Sequence, residues 1–266
     1  MGILNVTPDS FSDGGKFFDL KQAVDHALRM LDEGADIVDV GGESTRPGAH
    51  PPVGADEEQR RVLPVIAEVK RLRPAAIVSV DTFKSATAKA AVDAGADIVN
   101  DVSGFQWDPQ MADTCADLDC GVILMHMRGV PETWRNLLAL EDPLTLVKHE
   151  LAMAARKAEG DGIARDRVVL DPGFGFGKNY EENYPLLAHF DQLAELGYPL
   201  LAGVSRKSFV GRAMGLPKDA SPSTRLSGSL AAMTITILNG AHIVRVHDVK
   251  ESVEAARLAD AIMGAT

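Results

Sequence analysis

Eight short apolar runs in this 266-residue chain end in residues that can do chemistry. In chain order these ends carry Asn5 and Thr7; Gly42, Glu43, Ser44, Thr45 and Arg46; Asp81; Asn100 and Asp101; His126; Asp171; Ser205, Arg206 and Lys207; Arg245 and His247. The set divides by charge. Asp81, Asn100 and Asp171 are two carboxylates and an amide, which suit a neutral heterocycle with adjacent N–H donors, because an ionised carboxylate accepts two parallel hydrogen bonds from an amidine-like edge. Opposite in character are Ser205-Arg206-Lys207 and Arg245-Val246-His247. Arg245 and His247 stand two apart and so face one side of a strand, and an arginine fork beside His and Lys makes an anion clamp. Asn5 offers a hard oxygen to Mg2+, which takes oxygen donors and often bridges substrate phosphates. Each residue alone has an ordinary structural use: an Asp after a strand commonly caps the next helix, and a lone histidine commonly satisfies itself at a rim. Eight polar ends in register argue for one shared opening.

The elements that must position these groups follow from periodicity. The runs 2–7, 35–41, 76–81, 96–101, 121–126, 168–173, 200–205 and 241–247 are near-continuously apolar, as parallel strands covered on both faces are. Between them lie amphipathic stretches at 20–33, 57–72, 85–94, 108–118, 143–159, 181–196, 224–239 and 252–263. Gly34, Gly95, Gly160, Gly197 and Gly240 stand where a left-handed helix C-terminus belongs. Strands alternating with helices in this way predict an α/β fold, a (β/α)8 TIM barrel, with its active site at the C-terminal ends of the strands. A doubly wound sheet is the second candidate, but it lacks a Gly-rich first turn here. No linker divides the chain, so residues 1–266 are expected to form a single domain.

Composition narrows the function classes. Hydrophobic residues are 45% and charged residues 24%, ordinary globular usage, while aromatics at 5% leave the core to Ala, Val, Leu and Ile. The formal charge of −11 disfavours a nucleic-acid partner, so any anion site must be local. Cys115 and Cys120 form neither a zinc pattern nor a redox CxxC, and a reducing compartment fits them. No apolar run reaches the ~18 residues of a membrane span, and the first residues lack a signal-peptide pattern. A soluble cytoplasmic protein without a membrane partner is expected.

Two Gly-, Pro- and Ser-rich stretches, TPDSFSDGGK at 7–16 and GGESTRPGAHPP at 41–52, follow the first two strands and are candidate lids. A third, DPGFGFGKN at 171–179, only looks like a phosphate loop: Pro172 and Asn179 stand where a P-loop needs Gly and Ser or Thr. Its glycines are better placed to let Phe174 or Phe176 approach a flat ligand.

Taken together these segments resemble the dihydropteroate synthase family of pterin-binding TIM barrels. The resemblance rests on MGILNVTPDSFSDGG (1–15), VDVGGESTRPGA (38–49), VSVDT (78–82), IVNDVSG (98–104), LMHMRG (124–129), VVLDPGFGFGK (168–178), GVSRKSFVG (203–211), RLSGSL (225–230) and GAHIVRVHDVKE (240–251), which span nearly the whole chain in order. It implies a folate-pathway transferase that condenses 6-hydroxymethyl-7,8-dihydropterin diphosphate with p-aminobenzoate, giving 7,8-dihydropteroate and diphosphate. It implies that Asn5 holds Mg2+ on the diphosphate, that Arg245 and His247 grip that group, and that Val246 is among the substrate-binding residues. Asp81, Asn100, Met125 and Asp171 would clasp the pterin, with Lys207 between pterin and amine. Thr45, Arg46, Pro47, Phe174 and Ser205 would line the p-aminobenzoate side, where sulfonamides compete. The family is typically a homodimer, and the small-residue helix at 224–239 is the expected interface. Members usually carry a strand pair that plugs the barrel bottom, whereas this sequence starts within the first barrel strand.

The chemistry expected is a dissociative, SN1-like substitution at the pterin methylene carbon. Mg2+, Arg245 and His247 stabilise the departing diphosphate, and Asp81 and Asp171 orient the ring that carries the positive charge. The arylamine is already nucleophilic, in keeping with the absence of a Ser-His-Asp order. The alternatives are a pterin-dependent methyl transfer to a corrinoid, which needs no anion clamp; a Schiff-base lyase using Lys207; and a non-catalytic pterin-binding module.

Overall fold

Alternation inside each strand sets the architecture. The computed structural model describes residues 1–7, 20–43 and 53–265. Parallel strands β1 (Gly2–Asn5), β2 (Ile37–Gly41), β3 (Ile77–Asp81), β4 (Ile98–Asp101), β5 (Gly121–Met125) and β6 (Val168–Asp171) pair in sequence order. Two short strands, β7 (Leu201–Ala202) and β8 (Ile243–Val244), pair with each other. Two seams close the ring. Leu170 N–H donates to Pro199 O at 3.0 Å beside a bridge between Leu170 and Leu200, joining β6 to β7. Ile3 N–H donates to Val246 O, and Val246 N–H to Met1 O, both at 2.9 Å, joining β8 to β1. The result is the expected eight-stranded parallel barrel, and its last quarter rests on very short ladders.

The connecting helices are α1 (Leu20–Asp32), α2 (Ala55–Leu72), α3 (Ser85–Asp93), α4 (Met111–Leu118), α5 (Pro143–Gly160), α6 (Asn183–Ala188), α7 (Ser208–Ala213), α8 (Leu226–Leu238) and α9 (Val249–Met263). Two differ from the sequence expectation. The stretch 181–196 is divided, with α6 ending at Ala188 and a 3-10 segment, Phe190–Leu196, following after His189. The short α7 is not among the predicted stretches, because six residues carry too little periodicity to register. Gly34, Gly95, Gly197 and Gly240 have positive φ as expected, whereas Gly160 is the last residue of α5 and Gly162 takes the left-handed turn.

Outward-facing Val38, Val40, Val78, Val80, Val99, Val122, Leu124, Val168 and Leu170 pack with helix residues such as Ala23, Ala27, Val62, Ile66, Ala88 and Leu151 into one continuous core. Inside the ring Ile37, Ile123 and Leu201 cluster with Ile98, Val169 and Ile243. These six form an apolar floor. Two residues further along each strand, on the same face, stand Asp39, Asn100, Met125, Asp171, Gly203 and Arg245. The site is therefore the next layer of side chains above the floor.

Candidate active site

Register aligns the rim: Asn5 pairs with Gly41, Gly41 with Asp81, Asp81 with Asn100, and Met125 with Asp171. Above these residues opens a cavity of about 330 Å³ whose walls include Asn5, Asp81, Ser205, Lys207, Arg245 and His247. A deeper cavity of about 40 Å³ is walled by Asp81, Asn100, Met125, Asp171, Phe174 and Lys207. Asp81, Phe176, Gly203, Lys207 and Arg245 wall both, so the two are one continuous depression. The acids of the middle strands and the cations of the last two do face a shared opening.

The charge map differs from the sequence expectation in one respect. Arg245 is not set apart from the acids but reaches across to them. Its Nε donates to Asp39 Oδ2 at 2.6 Å and its Nη2 to Asp81 Oδ2 at 2.7 Å. Asn100 Nδ2 also donates to Asp39 Oδ2, at 3.1 Å. Burial opposes the Arg245 cation, but Asp39, Asp81 and Asp171 outweigh it and hold its pKa above the usual value. Burial pushes Asp81 up to about 7, against the pull of Arg245 and with the neighbouring charges of Asp39 and Glu58. Burial likewise raises Asp171, offset by the Gly173 N–H and by Lys207, Arg245 and Lys178.

On the cationic side Ser205 Oγ and His247 Nδ1 lie 3.1 Å apart, and His247 N–H donates to the same oxygen at 3.2 Å. Lys207 Nζ sits 3.9 Å from the centre of the Phe176 ring. Arg206 has a left-handed backbone, φ 57°. Its N–H donates to Ser229 Oγ at 2.8 Å, and its carbonyl accepts from Arg225 Nη1 at 2.9 Å. Its guanidinium is matched by the Asp248 carboxylate in a bidentate pair. Arg206 thus fixes the turn that delivers Ser205 and Lys207, and its own charge is matched by Asp248.

A family model described as "Pterin binding enzyme" matches residues 1–247. Over 265 residues the chain is 45% identical to the dihydropteroate synthase of Escherichia coli strain K12, covering all of this chain and 92% of that one. A Xanthomonas albilineans dihydropteroate synthase solved with 4-aminobenzoic acid superposes with a TM-score of 0.90 at 45% identity, covering 98% and 92% of the two chains. The same organism's enzyme with 7,8-dihydropteroate gives 0.87 at 42%, with 98% and 92% covered. The chain belongs to the dihydropteroate synthase family.

Of the residues that the family resemblance singled out, the structure brings Asn5, Asp81, Asn100, Met125, Asp171, Phe174, Ser205, Lys207, Arg245 and His247 to the two cavities. Phe174 backs the inner cavity, not the mouth; it is 1% exposed and stacks between Phe190 and Phe209. Val246 is a correction. Standing between two inward residues, it points out of the barrel, is buried, and lines neither cavity; its backbone closes the seam to β1. Thr45, Arg46 and Pro47, with most of both candidate lids, lie outside the described residues.

Sequence reasoning passed over Asp39, Trp134 and Lys178, and named Glu43 at a strand end without giving it a role. Asp39 was legible in principle: it is a carboxylate inside an otherwise apolar buried strand, fully excluded from solvent. Trp134 meets Phe176 edge-on at 5.6 Å over the mouth, from a loop with no periodic signal. Glu43 lines the mouth and pairs with Lys84, which also pairs with buried Glu58 at 3.2 Å. Among the described residues no group of three His, Cys, Asp or Glu could hold a metal ion. The oxygen donors that line the mouth, Asn5, Glu43 and Asp81, are of the kind that suits Mg2+.

Proposed function

We propose that this protein is the transferase that condenses 6-hydroxymethyl-7,8-dihydropterin diphosphate with p-aminobenzoate, forming 7,8-dihydropteroate and diphosphate in folate synthesis. One observation carries the reading at this site: an inner pocket of carboxylates and an amide continues without a break into a mouth rimmed by Lys207, Arg245 and His247. A neutral heterocycle joined to a diphosphate matches that gradient end to end.

In this reading Asp171, Asp81 and Asn100 take the N–H edge of the pterin ring, with Met125 and Phe174 against its face. For Asp81 to accept from the ring, its Oδ2 trades the Arg245 guanidinium for ring donors, and Arg245 turns with His247 toward the diphosphate. The C–O bond to the diphosphate breaks first, and the cations lie where negative charge then develops. The carboxylates under the ring favour the positive charge left on it. The arylamine, held between Lys207, Ser205 and Phe176, forms the new C–N bond and releases one proton. Asn5 would hold Mg2+ here, and a bound Mg2+ supplies neutralising charge to the diphosphate oxygens.

The family habit of pairing supports a homodimer, with α8 and the adjoining face of α9 as the interface. Ile235, Leu238, Leu258 and Ile262 all lie exposed there. We place the protein in the cytoplasm on the two free thiols, Cys115 and Cys120. Among the described residues no helix is long and apolar enough to cross a membrane.

An assay with the dihydropterin diphosphate, p-aminobenzoate and Mg2+ tests the function. Dihydropteroate and diphosphate should appear in equal amounts. Binding of the pterin without diphosphate release would leave a binding module, and methyl transfer to an added corrinoid would replace the reading altogether.

A further inference from the structure

The loop that resembles a phosphate cradle uses its lysine in another way. Lys178 lines neither cavity and is 8% exposed. Its ammonium turns back into its own loop: Nζ donates to Gly173 O at 2.8 Å, Phe176 O at 3.3 Å and His126 O at 3.4 Å. The loop is pressed hard against the end of β5. A Cβ at Gly173 would stand 2.0 Å from His126 O, and one at Gly177 2.3 Å from Arg128 O, both at positive φ. The loop thus wraps one buried cation and leans on β5, a contact that only glycine permits.

Both ends of the wrapped loop enter the site. At one end Gly173 N–H donates to Asp171 Oδ1 at 2.7 Å and sets the direction of that carboxylate. At the other, the Phe176 ring carries Lys207 on its face and Trp134 at its edge. A cation among neutral carbonyls costs desolvation that an apolar plug avoids, so a merely space-filling residue here would be apolar.

We propose that Lys178 is a positioning residue for the reaction: its charged ammonium gathers residues 172–177 against β5, so that Asp171 faces the pterin and Phe176 borders the arylamine, and loss of that charge loosens both. The proposal rests on the reading that Asp171 clasps the pterin ring. Burial brings the Lys178 pKa down to about 7, with Asp171 and Glu150 holding it up and Lys207 and Arg128 pushing it down. The His126 ring, bonded to Glu150 at 2.8 Å, completes the titratable groups around it. Burial holds His126 itself at about 4, so it stays neutral across the range that matters.

The test compares wild type, Lys178→Met, Lys178→Arg and Asp171→Asn, each checked for native circular dichroism and a cooperative melt. Steady-state constants for both substrates, and binding of 6-hydroxymethyl-7,8-dihydropterin by titration, are measured from about pH 6 to about pH 9. Lys178→Met should weaken pterin binding about tenfold near pH 6 and, because Phe176 also borders the arylamine, raise the arylamine KM as well. The ratio of wild-type to Met-variant affinity should shrink above about pH 7, a ratio from which titration of the ligand cancels. Lys178→Arg, charged throughout, should recover part of the affinity and show no loss above that pH. Pterin affinity of Lys178→Met within about twofold of wild type, or a ratio constant with pH, overturns the proposal. If the Met variant does not fold, the wild-type and Arg-variant pH profiles decide, and identical profiles overturn it. Unchanged pterin affinity in Asp171→Asn sinks the site reading instead, whatever Lys178 does.

Discussion

Asp39 receives two donors on one oxygen, the Arg245 guanidinium and the Asn100 amide, in a place with no water contact. It touches neither cavity, yet it fixes two residues that do. Removing one partner of a buried ion pair strands the other, at a typical cost of 3–5 kcal/mol, which is larger than the net value of the pair itself. Asp39→Asn keeps the shape and one acceptor, so we expect a loss of about 3 kcal/mol, read as a melting temperature lower by ~6–12 °C. Asp171→Asn should behave differently, because its charge is aimed at a ligand. Losing a charge-assisted contact costs ~1.5–3 kcal/mol, so kcat/KM for the pterin diphosphate should fall by up to about 10²-fold with little change in melting. His126 gives a pH signature. Burial and the neighbouring Lys178 hold its pKa at about 4, below the usual 6.5 of a free imidazole, against Glu150. The unfolded chain binds the extra proton between those values, so this contribution is complete above about pH 6.5 and is lost as pH falls toward 4. Buried Asp81 and Asp101, raised to about 7 and about 6, slope the other way. The test is therefore a difference: wild type minus His126→Gln in urea unfolding should shrink by about 3 kcal/mol from pH 6.5 to pH 4. A constant difference refutes it.

At the scale of elements, the barrel works by layers two residues apart. Ile37, Ile98, Ile123, Val169, Leu201 and Ile243 make the floor, and the residue two further along each strand belongs to the site. This much is legible in sequence, because continuous apolar runs mark the strands and a polar residue ending a run marks the rim. Asp39 and Val246 show the limit. Both need the phase of the alternation, which a run apolar on both faces does not display: Asp39 is inside, and Val246 faces out between Arg245 and His247. The loops after the strands are less legible still, since Trp134 and Lys178 owe their places to contacts between two loops. Arg128 Nη1 donates to Gly177 O at 3.2 Å and Nη2 to Leu138 O at 3.0 Å, while Glu182 accepts from Leu140 N–H and Asn179 N–H, both at 2.7 Å. No local pattern encodes such pairings. Glycine substitution separates the elements cleanly. Gly173→Ala meets a carbonyl oxygen at 2.0 Å at a φ of 64° and should lower both stability and pterin affinity. Gly160→Ala, at the end of α5 with nothing within 4 Å, should be neutral or gain up to about 1 kcal/mol. Equal melting temperatures for the two variants would contradict the loop contact.

Across the whole molecule the net charge of −11 and the cationic mouth are reconciled by pairing. Surface cations such as Lys21, Lys89 and Lys157 are taken up by acids one helical turn along, and Arg206 by Asp248. Lys207, Arg245 and His247 converge at the mouth, where Arg245 is open to an anion once it leaves Asp39 and Asp81. A second uneven distribution is apolar. Ile235 and Leu238 on α8 lie exposed beside Leu258, Ile262 and Met263 on α9, and Leu258 is 64% exposed. Those two helices pack on each other, and none of these residues lines either cavity. Exposed apolar residues of this kind on two packed helices are where the proposed pair would form, and an interface made of one repeated surface closes as a symmetric pair. The expected state is a dimer of twice 28.4 kDa, seen by light scattering at micromolar concentration. Leu238→Glu with Leu258→Glu places charge among those residues and should give a monomer. Because α8 also carries Ser229, which accepts the Arg206 N–H behind Lys207, loss of the pair should raise the KM for the arylamine more than it lowers pterin affinity. A wild-type monomer, or a double variant that remains dimeric, removes these residues from the assembly and leaves their exposure without a use.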